Sequence, residues 1–554
     1  MKTAKNVLSL SSDDAISFFL KSQQYHNLEL PEYFVFDDVL NFVRGSVGDA
    51  SLKDCLRKNV SPEDLEGVNI DILLNKDGHY AVRPIVLANP YLYYFLVREL
   101  CGQKSWPVVK DLFDKFSVPG LSSCALPVVS EEKESFHKSH TILNWWNMME
   151  QRSIELSLEY RYMFVTDITN CYGSINPQSI EWAFNLRGTK YERELNQDIA
   201  HNIQWILRAL QQGRNIGIPQ GSSIFDFVAE IVLGYSDLLL HEAIERAGIT
   251  ASYQIIRYRD DYRIFCNDKD QMEKISYILQ QVLESLNFRM NSQKTKISEN
   301  VVTDSIKSDK LAYIYNTPIF NKKGVDFDSF EKHLLYILMF ARKHPNSGQV
   351  KTLLSDIDKR MEKHLKPVVR EYEVVKVLFD DGSKTDGPAE GDKEIVTYVR
   401  RLSGGSVRAM VAVAVQIALE NVSVCNYALR VISRMIDSLE DSEEKVSLME
   451  RVYDKISNTP NSTYNQLWLQ NMTYVYDRRC GNVDRYDIGL CKLVMHGQIP
   501  RLWNVDWLKE KFTTRLPLHR VVDKEVLARV TPIITFREQS SYYDVSDYTP
   551  EDKV

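Results

Sequence analysis

The chain has 554 residues, of which 44% are hydrophobic and 26% charged, with a formal net charge of −7. That much apolar surface excludes whole-chain disorder, and 23 Gly with 18 Pro are too few for a fibrous or low-complexity protein. The acidic balance argues against a generally basic nucleic-acid coat, but it leaves room for a locally basic cleft, because steering depends on how charge is distributed. The eight cysteines form no C-x-x-C pair, which speaks against a zinc ribbon or a thioredoxin-type site. Scattered thiols fit a reducing compartment. Residues 1–19 lack the continuous apolar run of a secretory leader, and the longest apolar stretches fall well short of a ~20-residue span. The expectation is a soluble, cytoplasmic protein with no membrane partner.

In chain order, Ser12 to about Gly120 mixes short helical patterns with a hairpin: Asn75-Lys76-Asp77-Gly78 is a turn signal and His79–Val86 reads as a strand. Ser139–Arg152, with Trp145 and Trp146, predicts an amphipathic helix. Arg161–Thr166 is a short apolar strand ending on Asp167. Pro177–Gln212 is helical by periodicity, Gly213–Gly221 a loop, and Ile224–Ile244 a strong helix. Ser252–Cys266 predicts two strands joined by a tight turn at Arg259-Asp260, followed by a helix over Gln271–Leu286. Beyond Phe330 helical patterns dominate: His333–Leu365, Arg408–Met435 and Lys445–Ile456. Asp380–Glu394, rich in Gly and Asp, reads as a loop that interrupts them, and Arg537–Val554 as an acidic, fraying tail.

Three segments carry chemistry. The first runs from Phe164 to Ile175 around Asp167, the second is Gly217-Ile218-Pro219-Gln220-Gly221-Ser222-Ser223, and the third is Arg257-Tyr258-Arg259-Asp260-Asp261-Tyr262, followed by Asn291–Thr295. A carboxylate at the end of one strand and two at a hairpin tip can converge. Hard divalent cations want such oxygen ligands, and a pair of ions ~4 Å apart can stabilise both oxygens of an in-line phosphoryl displacement. Read alone, Asp260-Asp261 is an ordinary polar turn and Asp167 a strand-terminal cap. Their occurrence in this order, around a Pro-Gln-Gly loop, favours the catalytic reading.

These segments resemble the motifs of the reverse transcriptases: Asp167 with Tyr172 the first, Gly217–Ser223 the second, Tyr258–Asp261 the Y-x-D-D third, and Asn291–Thr295 the Lys-bearing fourth. The resemblance covers roughly residues 60–320. It implies an α+β right-hand polymerase fold of fingers, palm and thumb, here followed by an α-helical C-terminal domain. The implied divisions are 1–150 for the N-terminal region and fingers, 151–300 for the palm, 301–330 for a thumb-proximal connection, 331–536 for the helical domain and 537–554 for the tail. It implies DNA synthesis from dNTPs, with two Mg²⁺ ions, or Mn²⁺ in their stead, held by Asp167, Asp260, Asp261 and the Ile168 carbonyl. Tyr172 becomes the steric gate against a 2′-hydroxyl, or else a core tyrosine. Gln220 would lie beside nucleotide and template. Lys294 would offer a cation near the triphosphate, or else be a solvated lysine, and Arg83 would clamp phosphates.

Arg259 at the variable position of Y-x-D-D departs from better-known members. With Arg257 and Arg263 it either faces a nucleic-acid backbone or pairs with nearby acids at the surface. The layout looks like the bacterial abortive-infection and unknown-group reverse transcriptases, a defence-associated set. The partners implied are a non-coding RNA template, a DNA product and further copies of the chain. A nucleic-acid-binding or assembly module with little turnover is the alternative function. Trp468, Tyr474 and Tyr476, near Arg478 and Arg479, are candidate nucleic-acid contacts or, individually, helix-packing core. Tyr542, Tyr543 and Tyr548 in the tail are candidate protein primers, since some relatives start from a protein hydroxyl.

Overall fold

The computed structural model describes residues 5–76, 81–129, 146–186, 190–316, 330–345, 347–366, 368–373, 393–398, 404–497, 501–514 and 516–536. Asp77, Gly78, His79, Trp145, most of the expected 380–394 loop and the tail tyrosines lie outside them.

Helix and sheet are mixed, in agreement with the α+β expectation. The centre is a five-stranded sheet of order β3-β5-β6-β4-β7, with β3 Leu121–Ser123, β4 Tyr162–Asp167, β5 Tyr253–Tyr258, β6 Asp261–Cys266 and β7 Lys296–Ser298. All its pairings are antiparallel except β3 with β5. An earlier hairpin pairs β1 (Ile70–Asn75) with β2 (Val82–Leu87), placing Arg83 opposite Leu74.

The period-two alternation of strand side chains gives the central sheet two apolar faces. Phe164, Ile255, Tyr262, Ile264 and Cys266 join the main core, which also contains the helices Ser223–Arg246 and Lys269–Ser285. Met163, Ile256 and Phe265 face the other way, into a smaller cluster with Met149, Leu156 and Val301. The helix Ser223–Arg246 is apolar nearly all round, as a helix enclosed on every side must be. It starts where the sequence placed it, its first turn capped by Ser222. The stretch read as one helix over Pro177–Gln212 is two, Gln178–Phe184 and Lys190–Ala209, with Asn196 donating to the terminal Phe184 carbonyl of the first.

The C-terminal half is helical: Phe330–Lys343, Gln349–Leu365, Gly404–Glu420, Cys425–Asp437, Ser442–Ser457 and Thr463–Cys480. The interruption contains a hairpin of β8 (Val368–Glu373) and β9 (Lys393–Tyr398), so Glu394 belongs to a strand. One buried cluster runs from Val7 to Ile534 across residues 330–331. Residues 501–536 return to the N-terminal region, where Phe34 bridges Val522 and Leu56 bridges Leu508. Trp507 packs edge-on against Tyr91, whose hydroxyl donates to the Phe512 carbonyl.

Candidate active site

Strand β4 ends on Asp167 and β6 begins on Asp261, and the two are cross-strand partners. Their β-carbons therefore lie about 4.5–5.5 Å apart on one side of the sheet. Asp260 is in the turn between β5 and β6, its carbonyl accepting from the Ile168 amide at 3.1 Å, which ties the turn to the end of β4. The Asp167 carbonyl accepts from Asn291, so the Asn291–Thr295 loop is anchored beside it. Lys294 Nζ meets Asp167 Oδ2 at 2.5 Å while most of its chain stays in solvent. Asp167 Oδ1 is buried and has no hydrogen-bond partner among the described residues.

Burial first, then the charge of Asp260, pushes the Asp261 carboxyl up to about 6, although its side chain still reaches solvent. Asp260 is raised too, by burial and by Asp167. The hydrogen bond to Asp167 raises Lys294. Among the described residues no three His, Cys, Asp or Glu side chains are closed into a ready-made metal cage. The donor set nevertheless suits a hard cation: Mg²⁺ takes one or two carboxylates and completes its shell with water and phosphate. An unpartnered buried carboxylate oxygen beside two mutually repelling carboxylates is what such an ion would relieve.

The arginines of the hairpin turn inward. Arg257, fully buried, donates to both oxygens of Asp237 (2.8 and 3.0 Å) and of Glu230 (3.0 Å each). It also donates to the Arg259 carbonyl at 3.1 Å, bracing the turn from behind. Arg259 has a left-handed backbone (φ +53°), which costs an L-residue about 1–2 kcal/mol. Its Nη2 meets Asp226 Oδ2 at 2.6 Å. Arg263 points to the opposite face, to Ser153 Oγ and the Met149 carbonyl. Of the two readings of these arginines, pairing with acids holds for Arg257 and Arg259, though Arg257 does so in the interior and not at the surface. They pair with acids or backbone inside the protein, because alternation from the turn commits 257 and 263 to opposite buried faces.

Tyr172 follows Asn170, itself left-handed at φ +49°, and its buried hydroxyl donates to Asp226 Oδ1 at 2.6 Å. The Tyr172 carbonyl accepts from Ile218 and that of Ile175 from Gly217, so the Pro-Gln-Gly loop is stitched to the first motif. Gly217 (φ +80°) lies so close that a Cβ would come 3.1 Å from the Gly173 carbonyl oxygen. The half-buried Gln220 accepts from the Val86 amide through its carbonyl at 2.8 Å, which joins the loop to β2. Arg83, three residues before Val86, is exposed, and among the described residues no ion pair joins it to the carboxylates.

Residues 114–327 match the family model described as reverse transcriptase (RNA-dependent DNA polymerase). The chain carries a reverse transcriptase domain. That domain is an RNA-directed DNA polymerase, a nucleotidyltransferase. The match holds Asp167, Tyr172, Gln220, Asp260, Asp261 and Lys294 but not Arg83, and it spans less than half of the chain. Among curated proteins none matches the chain. Among solved structures the chain is similar to telomerase from Candida albicans in complex with a TWJ fragment of telomeric RNA (12% identity, TM-score 0.27, covering 78% of this chain and 67% of that one). It is also similar to apo telomerase from Candida tropicalis (14%, 0.28, 78% and 72%). For the same apo telomerase truncated from its C-terminal domain the figures are 14%, 0.27, 47% and 54%, so the chain spans about half of that one. Identities and scores this low speak to neither substrate nor partner.

Sequence reasoning missed the acids that hold the reverse transcriptase hairpin. Asp226, Glu230 and Asp237 fall on one stripe of the helix Ser223–Arg246 at 3.6 residues per turn, and all are buried. Three acids on the same face of an otherwise apolar helix were the available signal. Of the two readings of Trp468 and Tyr474, burial supports the helix-packing one: both are buried, and Trp468 Nε1 donates to the Glu29 carbonyl.

Proposed function

We propose that the protein is a DNA polymerase of right-hand form, with fingers, palm and thumb, that copies a non-coding RNA or extends without a template in bacterial anti-phage defence. One observation carries the catalytic part: the unpartnered, buried Asp167 Oδ1, with Asp261 across the strand and Asp260 at the turn. In this reading Asp167, Asp260, Asp261 and the Ile168 carbonyl would hold two Mg²⁺ ions, and Mn²⁺ would suit the same oxygens. The chemistry supplied when they are bound is neutralisation of charge on the attacking and leaving oxygens of an in-line displacement.

The chain's own residues do the rest. Lys294, already drawn to Asp167, offers a cation beside the triphosphate, and Arg83 a planar guanidinium for its phosphates. Tyr172 fills the space beneath the sugar and so rejects a 2′-hydroxyl. Gln220 borders nucleotide and template. Layout supports the defence role: a long helical region follows the reverse transcriptase domain, and Arg occupies the variable Y-x-D-D position. Among the described residues the eight cysteines form no disulfide and seven of them are buried, which supports a reducing cytoplasm. dNTPs, RNA, the DNA product and further copies of the chain are the partners.

The test is incorporation of labelled dNTPs by the full chain with Mg²⁺, with and without RNA, beside phage restriction in cells. Asp260→Ala should abolish both. A folded Asp260→Ala protein that incorporates nucleotides at the wild-type rate overturns the catalytic reading. Restriction that survives loss of synthesis overturns the link to defence.

A further inference from the structure

We propose that Arg259, acting through Asp226, is the positioning residue that holds the Tyr172 ring and thereby sets the discrimination between deoxyribo- and ribonucleotides. The proposal rests on the reading of Tyr172 as the sugar gate and adds what holds that gate in register.

Three elements of the site meet on one carboxylate. Asp226 Oδ1 accepts from the Tyr172 hydroxyl at 2.6 Å, and Asp226 Oδ2 accepts from Arg259 Nη2 at 2.6 Å. Asn27 Nδ2, from a segment whose own amide donates to the Gly221 carbonyl, reaches Oδ2 at 3.2 Å. Asp226 is buried in the first turn of the helix Ser223–Arg246, where the helix end favours a negative charge. The first motif, the Pro-Gln-Gly helix and the Y-R-D-D turn are therefore joined at a single charged group.

A gate is only as selective as its ring is fixed, since a small displacement of the wall admits one extra oxygen. An unanchored tyrosine can swing about χ1 and χ2. Here the phenol is fixed at its far end, and burial with the Asp226 charge keeps it protonated and able to donate. Asp226 in turn cannot follow the ring, because a short charge-assisted bond to Arg259 holds it from the other side. Arg259 can reach it only because its backbone is left-handed, a conformation braced by Arg257 at the Arg259 carbonyl. The guanidinium also lies over the Tyr258 ring, 5.5 Å from its centroid. It is committed inward and not to the backbone of a nucleic acid. The departure from a small or apolar residue in Y-x-D-D thus acts on the nucleotide sugar.

The experiment measures kcat and KM for matched dNTP and rNTP with the full chain and the variants Arg259→Ala, Arg259→Lys, Tyr172→Phe and Tyr172→Ala. Tyr172→Phe keeps the ring and removes only its anchor, and it leaves the Arg259–Asp226 pair intact. The expected result is a fall in deoxyribonucleotide preference of about tenfold in both Arg259→Ala and Tyr172→Phe, expressed as a lower KM for rNTP. Arg259→Lys should recover part of it. The double variant Tyr172→Phe/Arg259→Ala should lose no more than either single change, because both cut the same link. Wild-type discrimination in Tyr172→Phe, with discrimination lost in Tyr172→Ala, overturns the proposal and leaves the gate standing. Unchanged discrimination in Tyr172→Ala removes the gate itself. Should Arg259→Ala fail to fold, Arg259→Lys decides beside Tyr172→Phe: wild-type discrimination in a folded Arg259→Ala, or an unchanged rNTP KM in Arg259→Lys when Arg259→Ala cannot be made, overturns the role of Arg259.

Discussion

The two sides of the β5–β6 hairpin face opposite electrostatic problems. Behind the turn, Arg257 is fully buried yet saturated by Glu230, Asp237 and a backbone carbonyl. In front, Asp167, Asp260 and Asp261 repel one another, with one buried carboxylate oxygen unpartnered among the described residues and Lys294 paired to Asp167, while Lys307 only partly offsets the charge at Asp261. Only Tyr258 and Arg259 separate Arg257, in the closed ionic core, from Asp260 in the open one. The closed side fixes the turn, so the open side can hold its carboxylates together without collapsing onto a partner of its own. The comparison predicts opposite responses to mutation: loss of function with stability kept in front, loss of stability behind.

The largest effect should come from the front. Asp167→Ala should lower nucleotide incorporation by at least about 10³-fold, since a ligand for charge stabilisation is gone. Its melting temperature without metal should not fall, because repulsion is relieved along with the lost Lys294 contact. A circular-dichroism melt beside the incorporation assay checks both halves. A melt lowered as far as that of an Arg257 variant would erase the contrast.

Next comes the back. Arg257→Ala leaves Glu230 and Asp237 buried without their cation, and should cost about 3–5 kcal/mol in a denaturant titration. Gly221→Ala probes the seam between the Pro-Gln-Gly loop and β2. Its φ of +121° and a Cβ 2.7 Å from Ile85 Cγ2 predict a loss of about 1–3 kcal/mol, with activity falling as the loop shifts.

The smallest effect is one of pH. The Asp261 carboxyl, held up at about 6, is protonated as pH falls through that value, and on the proposed reading Mg²⁺ would then lose a ligand. The rise in melting temperature on adding Mg²⁺ should therefore be greatest above pH 7 and shrink toward pH 5. Without metal the trend reverses. A folded value above that of a free aspartate means that stability from this group grows as pH falls from about 6 toward the unfolded value, by at most about 1.4 kcal/mol per unit. Parallel melts with Mg²⁺ and with a chelator separate the two slopes.

Much of the candidate site's local geometry was legible because its oxygen donors sit in short local segments. Asp167 at a strand end, the turn at Arg259-Asp260 and the loop before Ser222 could be read without any long-range contact. The direction of the arginines could not. It depends on which face each strand position takes relative to a turn, and on acids contributed by a helix 20–33 residues earlier. Trp468 and Tyr474 were ambiguous for a similar reason: an aromatic near arginines looks the same whether it stacks on a base or closes a core. The return of residues 501–536 to the N-terminal region left no local trace at all. Bridges such as Phe34 to Val522 join positions nearly the whole chain apart.

That return has a consequence for how the protein is made. Val35 donates to the Val521 carbonyl, Arg57 to that of Trp507, and Trp503 packs on Phe36. A ribosome releases Phe36 and Tyr91 long before Trp503 and Trp507 exist to cover them. At about 5–20 residues per second the gap is roughly twenty seconds to a minute and a half. For that interval the nascent N-terminal region shows uncovered aromatic surface, so yield should depend on chaperone supply and on translation speed up to and through codons 501–536. A chain stalled or cleaved before residue 501 would leave Phe36 and Tyr91 without Trp503 and Trp507, and so fail at a distance from the break.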